Sequence, residues 1–199
     1  ETYAFSPLPG KNPKNKKNEY IDQIIRSILN QNIESKERFV EKTPVNVLNY
    51  DHIVRYFRGQ CSIVNIVRDG RDVITSKHPT DPGSYYVSPE RWIRDVSSGK
   101  KFETFDQVIT IKYENLVSNT VDTIKEVCGH CNIAFDRKGI VDYPRTSQFA
   151  KSNAWHGEAR PISDKSVGRW KKEIHTSRAQ SLYRYDDATE LLKFYDYVV

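Results

Sequence analysis

The stretch that most constrains the fold runs from Cys61 to Ser76, with the sequence CSIVNIVRDGRDVITS. It opens with an apolar run typical of a buried parallel strand, made up of Ile63, Val64, Ile66 and Val67. The run ends abruptly in the charged segment 68–72, and the pattern beyond it favours a helix. In open α/β sheets, ligands bind beyond the carboxyl ends of strands, where the amides at a helix N-terminus favour an anion. We therefore expect an anion site at this turn.

Arg68 stands at the predicted strand end, where its planar guanidinium suits a two-pronged grip on a phosphate. The hydroxyl of Ser76, placed about two turns along the following helix, is a candidate second donor. The residues alone leave an alternative open, in which the charges of segment 68–72 are solvated and pair with one another.

The spacing Arg68, Asp72 and Ser76 after a hydrophobic strand resembles the 3′-phosphate-binding segment of the sulfotransferases that use 3′-phosphoadenosine 5′-phosphosulfate (PAPS). The resemblance implies an α/β fold with three layers, a central parallel sheet flanked by helices, of the P-loop-kinase-like type. It also implies one domain over residues 1–199. The implied reaction is in-line, metal-independent transfer of the sulfuryl group from PAPS to a hydroxyl or amine, leaving 3′,5′-adenosine bisphosphate.

Composition is compatible with this expectation. The chain has 199 residues, with 31 Lys and Arg against 26 Asp and Glu, a formal charge of +5 and a pI near 9.0. This modest excess suits an anionic cofactor or substrate and does not by itself indicate nucleic acid. The sequence contains no apolar run long enough to span a membrane. Its three cysteines predict a reducing, cytoplasmic compartment.

Strand and helix patterns alternate along the chain, which predicts parallel strands with helices between them. A further strand is predicted over 107–113, and an irregular segment over 143–175. Helical patterns cover 19–30, 45–57, 89–98 behind a Ser88 cap, a segment from Asn119 or Thr120, and 177–197.

Two segments resemble the adenosine side of the sulfotransferase site. Tyr113 opens Tyr-Glu-Asn-Leu at the end of the second predicted strand, a signature whose tyrosine lies near the adenosine in that family. Thr146 and Ser147 resemble the threonine-serine segment that contacts the adenine. The alternatives are a buried core tyrosine and ordinary turn-forming hydroxyl residues.

The segment Ser163–Lys171, called the C-terminal loop below, is similar to the loop that folds over the 3′-phosphate. The match consists of a glycine, a basic residue and a tryptophan at 168–170. Many cytosolic sulfotransferases carry Arg-Lys-Gly earlier in this loop, where this chain has Ser-Asp-Lys at 163–165. The resemblance therefore implies Lys165 and Arg169 as the phosphate cations, with a solvated basic loop as the alternative.

The catalytic base is predicted from the resemblance alone. Cytosolic aryl sulfotransferases have Lys-Thr-His where this chain has Lys-Thr-Pro, and Pro44 cannot accept a proton. The carbohydrate and tyrosylprotein branches instead use a glutamate, in a context that Glu1 to Phe5 resembles. Glu1 is thus the implied base. The glycine-rich 5′-phosphosulfate loop has no counterpart in this sequence, and we expect it and its strand to precede Glu1. The acceptor stays open among carbohydrate, peptide, lipid and small molecule.

Two other functions remain as alternatives. Cys128 and Cys131 form Cys-Gly-His-Cys, the motif of thiol-disulfide redox proteins. Such motifs work where the first cysteine begins a helix, but the apolar spacing before them places Cys128 at a helix end. A zinc site with Cys61 and His130 lacks a fourth ligand, so no metal is expected. The second alternative is a non-catalytic domain that binds a nucleotide or another anion.

Overall fold

A computed structural model describes residues 40–57, 60–78, 80–146 and 161–198, and at positions 141 and 144–146 the backbone alone. The chain folds as two compact units, Glu1–Cys61 and Ser62–Val199. The helix predicted over 19–30 lies outside the described residues. The expectation of one domain over the whole chain stays a prediction.

In the first unit, a 3₁₀ helix over Pro44–Asn49 is followed by helix α1, Tyr50–Tyr56. The sequence predicts one continuous helix here. The interruption lies at Asn49, whose backbone leaves the helical region with φ −129° and ψ 16°. Val47 and Tyr50 are buried, and burial raises the pKa of the Tyr50 phenol to about 12.

The sheet of the second unit consists of two described strands, β1 over Ile63–Val67 and β2 over Val108–Lys112. They pair in parallel, with Ile63 opposite Val108 and Val67 opposite Lys112. On one face the strand β1 is buried, and the amide of buried Asn65 donates a hydrogen bond to the Thr110 hydroxyl at 3.1 Å. The opposite face is less covered, because Ile66 is 53 % exposed. The predicted α/β fold with a parallel sheet flanked by helices is confirmed.

The remainder of the described part of the second unit is mainly helical. The cap predicted at Ser88 is confirmed, because its hydroxyl accepts a hydrogen bond from the Arg91 amide at 3.3 Å. The described α-helices of this unit are α2 Gly70–Ile74, α3 Pro89–Lys100, α4 Tyr113–Ser118, α5 Thr120–His130, α6 Arg137–Thr146, α7 Glu173–Gln180 and α8 Asp186–Phe194. Two 3₁₀ helices cover Arg169–Lys171 and Ser181–Arg184.

Two of the predicted boundaries are wrong. Helix α6 extends to Thr146, into the segment predicted to be irregular, and it begins beside Asp136, whose carboxylate accepts the Lys138 amide at 2.9 Å. The helical pattern over 177–197 is broken at Tyr185, which is extended with φ −115° and ψ 116°. Amphipathic spacing thus continues across a turn that separates two helices.

The hydrophobic core of the second unit joins the central strand to the C-terminal helices. Val67 and Ile74 pack in one cluster with Trp92, Leu182, Ala188, Leu191, Leu192, Tyr195 and Tyr197. Because much of this cluster comes from residues beyond 181, the C-terminal end positions the turn after β1. In the part of the chain that the structure describes, none of the helices has the length and apolar character required to cross a membrane.

Candidate functional site

The site begins at the turn between β1 and α2, which side chains fix from several directions. The Asp69 carboxylate caps α2 by accepting the Arg71 amide at 2.9 Å. The indole Nε1 of Trp92 donates to the Arg68 carbonyl at 3.2 Å. The Asp69 amide donates to the Glu114 carboxylate at 3.1 Å, which ties the turn to α4. Arg68 therefore lies at the carboxyl end of β1, as the sequence predicts.

The guanidinium of Arg68 lies between aromatic and polar neighbours. It stands over the ring of Tyr113, 4.5 Å from the centroid, and its Nη2 donates to the Ser166 carbonyl at 2.5 Å. The nearest carboxylate, Asp72, is 3.7 Å away. The Nε of Arg68 is buried and has no hydrogen-bond acceptor among the described residues. An unpaired buried donor is costly, so this atom is suited to an acceptor supplied by a ligand.

Asp72 connects this turn to the C-terminal loop. Its carboxylate accepts the main-chain amide of Gly168 at 2.7 Å and that of Trp170 at 2.9 Å. Gly168 adopts the left-handed backbone conformation with φ 70°, which favours glycine because it has no Cβ. The loop that resembles a phosphate cover is thus held directly over the turn.

Ser76 and Arg169 contact each other just beyond the end of α2. Helix α2 ends at Ile74, so Ser76 lies just beyond a five-residue helix instead of two turns along a longer one. Its hydroxyl donates to the Asp72 carbonyl at 2.8 Å. Arg169 Nη2 donates to the Ser76 hydroxyl oxygen at 3.4 Å.

The structure thus places four of the predicted site residues in two contacting pairs, Arg68 with Tyr113 and Ser76 with Arg169, and both pairs lie next to Asp72. The Tyr113 hydroxyl shares a hydrogen bond with the Ser166 hydroxyl at 2.6 Å, which joins the tyrosine to the C-terminal loop. Two guanidinium groups and a hydroxyl near one turn form a donor set suited to a phosphate. Lys165 is exposed, and its main-chain amide donates a hydrogen bond to Ser163 Oγ at 3.3 Å. Its place at the phosphate stays a prediction.

Tyr113 also lines an open cavity of about 650 Å³, whose other lining residues come from α4, α5, α6 and residues 161–163. The wall is mainly apolar and includes Leu116, Ile124, Cys128, Ile140 and Tyr143. A volume of this size lies in the range of small-molecule sites. Tyr113 therefore contacts the Arg68 guanidinium and also lines the apolar cavity.

Three predicted residues cannot be placed in the site. Thr146 is the last residue of α6, but its side chain is not described. Ser147 and Glu1 lie outside the described residues. Their roles stay predictions.

Arg71 is a supporting residue whose importance the sequence did not reveal. Its guanidinium is buried against the Asp69 carboxylate at 2.8 Å, donates to the Tyr183 hydroxyl at 2.9 Å and the Val198 carbonyl at 2.7 Å, and lies over the Trp170 ring at 4.1 Å. The turn charges at 69 and 71 do pair, but they are buried, so the solvated alternative is wrong for them. The Tyr183 and Val198 partners of Arg71 lie 112 and 127 residues away in sequence, and no local pattern indicates them.

The cysteines do not form the arrangement of a redox site. All three are free thiols. Cys128 lies in the last turn of α5, as predicted, and is buried. Redox motifs of this type act where the first cysteine begins a helix. Among the described residues, His, Cys, Asp and Glu side chains form no group that could hold a metal ion.

Comparison with known proteins identifies the family. A family model described as the sulfotransferase family matches residues 11–137, more than half of the chain. The match includes Arg68, Ser76 and Tyr113 and ends before the C-terminal loop. No curated protein and no solved structure matches the chain. On the strength of the family match, the chain belongs to the sulfotransferase family.

Proposed function

We propose that this chain is a PAPS-dependent sulfotransferase. The observation that carries the proposal is that Arg68, whose Nε has no acceptor among the described residues, and Ser76, which accepts from Arg169, both lie next to Asp72. A phosphate oxygen would satisfy this buried donor. The family match supports sulfuryl transfer in general, and this donor set supports a phosphate-bearing donor substrate.

The residues present fit the nucleotide part of PAPS. Arg68, Ser76 and Arg169 hold its 3′-phosphate, and Lys165 adds a cation from the C-terminal loop. Tyr113 and the cavity beside it take the adenosine. Thr146 and Ser147, at the end of α6 and just after it, contribute to the adenine contact.

These residues act by positioning. PAPS, when bound, supplies the sulfuryl group. Arg68, Ser76 and Arg169 bind the 3′-phosphate, which is remote from the reacting sulfur. Binding at such a remote group orients the reacting atoms. Cationic side chains and main-chain amides perform this task, so the scheme requires no metal. Glu1 accepts the proton of the acceptor hydroxyl or amine, as in the carbohydrate and tyrosylprotein branches that the sequence resembles. The acceptor class remains carbohydrate, peptide, lipid or small molecule.

Calorimetric titration of the chain with 3′,5′-adenosine bisphosphate tests the nucleotide site. Arg68→Ala should weaken binding by about 1.5–3 kcal/mol, the range for hydrogen bonds to charged groups. Arg94→Ala is the matched control, because Arg94 pairs with Asp95 on an exposed part of α3. Equal affinity of Arg68→Ala and the unmodified chain would exclude the assigned site.

Turnover measurements with Glu1→Gln test the proposed base. A general base contributes roughly 10²–10⁴-fold to the rate, so turnover should fall while bisphosphate binding stays unchanged. Loss of both would assign Glu1 a structural role. If a protein that includes the expected 5′-phosphosulfate loop binds the bisphosphate but transfers no sulfuryl group to any class of acceptor, it is a non-catalytic nucleotide-binding domain.

A further inference from the structure

We propose that Asp72 is a positioning residue for the nucleotide, whose carboxylate fixes the C-terminal loop where Arg169 reaches the phosphate site. The inference rests on the proposed function, because it assigns a role within the same site. Asp72 is not a phosphate ligand itself, since a carboxylate repels an anion. It acts through the loop.

Both carboxylate oxygens of Asp72 are used by the loop. Oδ2 accepts the Gly168 amide at 2.7 Å and Oδ1 accepts the Trp170 amide at 2.9 Å, across 96 and 98 residues of sequence. The side chain is only 1 % exposed. In addition, the Asp72 carbonyl accepts the Ser76 hydroxyl at 2.8 Å. One residue therefore sets the position of Ser76 and of the loop that carries Arg169.

The loop needs such an anchor because apolar burial does not hold it. No side chain of the 3₁₀ turn Arg169–Lys171 is buried, Val167 is 38 % exposed, and none of residues 163–171 belongs to the hydrophobic core. Segments with few buried apolar contacts open at low free-energy cost. Polar contacts must therefore fix the loop over the turn.

The loop is also held by Trp170 on the Arg71 guanidinium and by the Ser166 hydroxyl on Tyr113. Two further contacts of the loop use the groups that we assign to the phosphate. Arg68 Nη2 donates to the Ser166 carbonyl, and the Ser76 hydroxyl accepts from Arg169. A bound phosphate would compete for both arginines. The two bonds to the Asp72 carboxylate use no such group. They can persist with the nucleotide in place and keep the loop in register.

Charge and positioning predict opposite results for removal of this carboxylate. Asp72 Oδ2 lies 3.7 Å from Arg68 Nη2, so its negative charge offsets part of the attraction for a phosphate. If Asp72 acted through charge alone, Asp72→Asn would tighten nucleotide binding. If it positions the loop, the same substitution weakens binding, because asparagine offers one acceptor oxygen and turns an NH₂ donor toward the second amide.

The test combines amide hydrogen exchange at Gly168 and Trp170, measured without nucleotide, with calorimetry of 3′,5′-adenosine bisphosphate. In Asp72→Asn, both amides should exchange at least about tenfold faster. The Kd of the bisphosphate should rise at least about tenfold, equivalent to about 1.4 kcal/mol. Gly168→Ala strains the same contact from the loop side at φ 70° and should raise the Kd too. This variant answers the question if Asp72→Asn does not fold.

Glu103→Gln is the matched control. Glu103 accepts the Tyr195 hydroxyl at 2.6 Å, so the variant weakens another carboxylate tether without touching the C-terminal loop. Its Kd and its exchange rates at 168 and 170 should equal those of the unmodified chain. Tighter or unchanged bisphosphate binding in Asp72→Asn, or unchanged exchange, would overturn the inference. An unmodified chain that binds no bisphosphate would instead remove the proposed function, and with it the nucleotide role of Asp72, even where the exchange result shows the loop contact.

Discussion

The indole ring of Trp92 packs directly on Gly70, the first residue of α2. A Cβ built on Gly70 would stand 2.7 Å from Cε2 of that ring, closer than real contacts allow. The same indole donates to the Arg68 carbonyl at 3.2 Å. The absence of a side chain at position 70 therefore lets a core tryptophan fix the carboxyl end of β1.

Gly70→Ala should lower the free energy of unfolding by about 1–3 kcal/mol, the usual cost of overpacking a core. The rigid ring of Trp92 cannot rotate away from the added methyl group without leaving its buried position. Because the Arg68 carbonyl depends on the same ring, bisphosphate binding should weaken as well. Urea denaturation and calorimetry measure the two effects.

Gly129→Ala is the control for this substitution. Gly129 lies in α5, and an added Cβ would meet nothing within 4 Å. Alanine is the better helix former by roughly 0.5–1 kcal/mol, so this variant should be more stable. A Gly70→Ala protein as stable as Gly129→Ala would contradict the packing described here.

Arg71→Met should be one of the most destabilising single substitutions near the site. It leaves the Asp69 carboxylate, 9 % exposed, without its partner at 2.8 Å, and it frees the Val198 carbonyl and Tyr183 hydroxyl. Removing one member of a buried ion pair costs about 3–5 kcal/mol. Chemical denaturation at neutral pH measures this loss.

Arg91→Met provides the comparison for an exposed pair. Arg91 and Asp95 lie 3.6 Å apart, with side chains 36 % and 25 % exposed, and such pairs contribute no more than about 1 kcal/mol. If both arginine variants lose the same stability, the network around Arg71 contributes less than its burial suggests.

Features that depend on local pattern could be predicted from the sequence, and features that depend on distant partners could not. The apolar run of β1 and the Ser88 cap each depend on residues that are close together in the sequence. The proximity of Arg68 and Tyr113 follows because each residue comes directly after one of two adjacent parallel strands. The Asp72 bonds could not be predicted, because main-chain amides can donate to a carboxylate whatever side chains their residues carry.

Two buried phenols of the second unit should make it sensitive to alkali. Tyr195 donates to Glu103 at 2.6 Å and Tyr197 donates to Glu114 at 2.8 Å. Burial, reinforced by the neighbouring carboxylates, raises the pKa of both phenols well above the ordinary value. The folded state therefore keeps two protons that the unfolded state releases above about pH 10.

The sign follows from proton linkage. Below about pH 10 both states hold these protons, so the stability that the two buried phenols contribute is fully present. Above about pH 10, each phenol lowers the free energy of unfolding by about 1.4 kcal/mol per pH unit. Tyr197→Phe cannot ionise, so it should be less stable than the unmodified chain at pH 8 yet lose stability less steeply between pH 10 and 11. Urea denaturation across this interval measures both slopes. Equal slopes would mean that the Tyr197 phenol ionises alike in both states.

The ring and the hydroxyl of Tyr113 should contribute unequally to nucleotide binding. The ring carries the Arg68 guanidinium 4.5 Å from its centroid and lines the cavity, whereas the hydroxyl bonds only to the Ser166 hydroxyl among the described contacts. Tyr113→Leu removes a cation–π interaction worth about 0.5–2 kcal/mol and the flat wall of the cavity. Its Kd for 3′,5′-adenosine bisphosphate should rise about tenfold.

Tyr113→Phe keeps the ring and loses one neutral hydrogen bond, worth about 0.5–1.5 kcal/mol at most, part of which water restores. Ser166→Ala removes the same bond from the other side. Both variants should therefore bind the bisphosphate within about threefold of the unmodified chain and of each other, as measured by calorimetry. If Tyr113→Phe binds as weakly as Tyr113→Leu while Ser166→Ala is unaffected, the hydroxyl contacts the nucleotide directly, and the ring is not the group that matters.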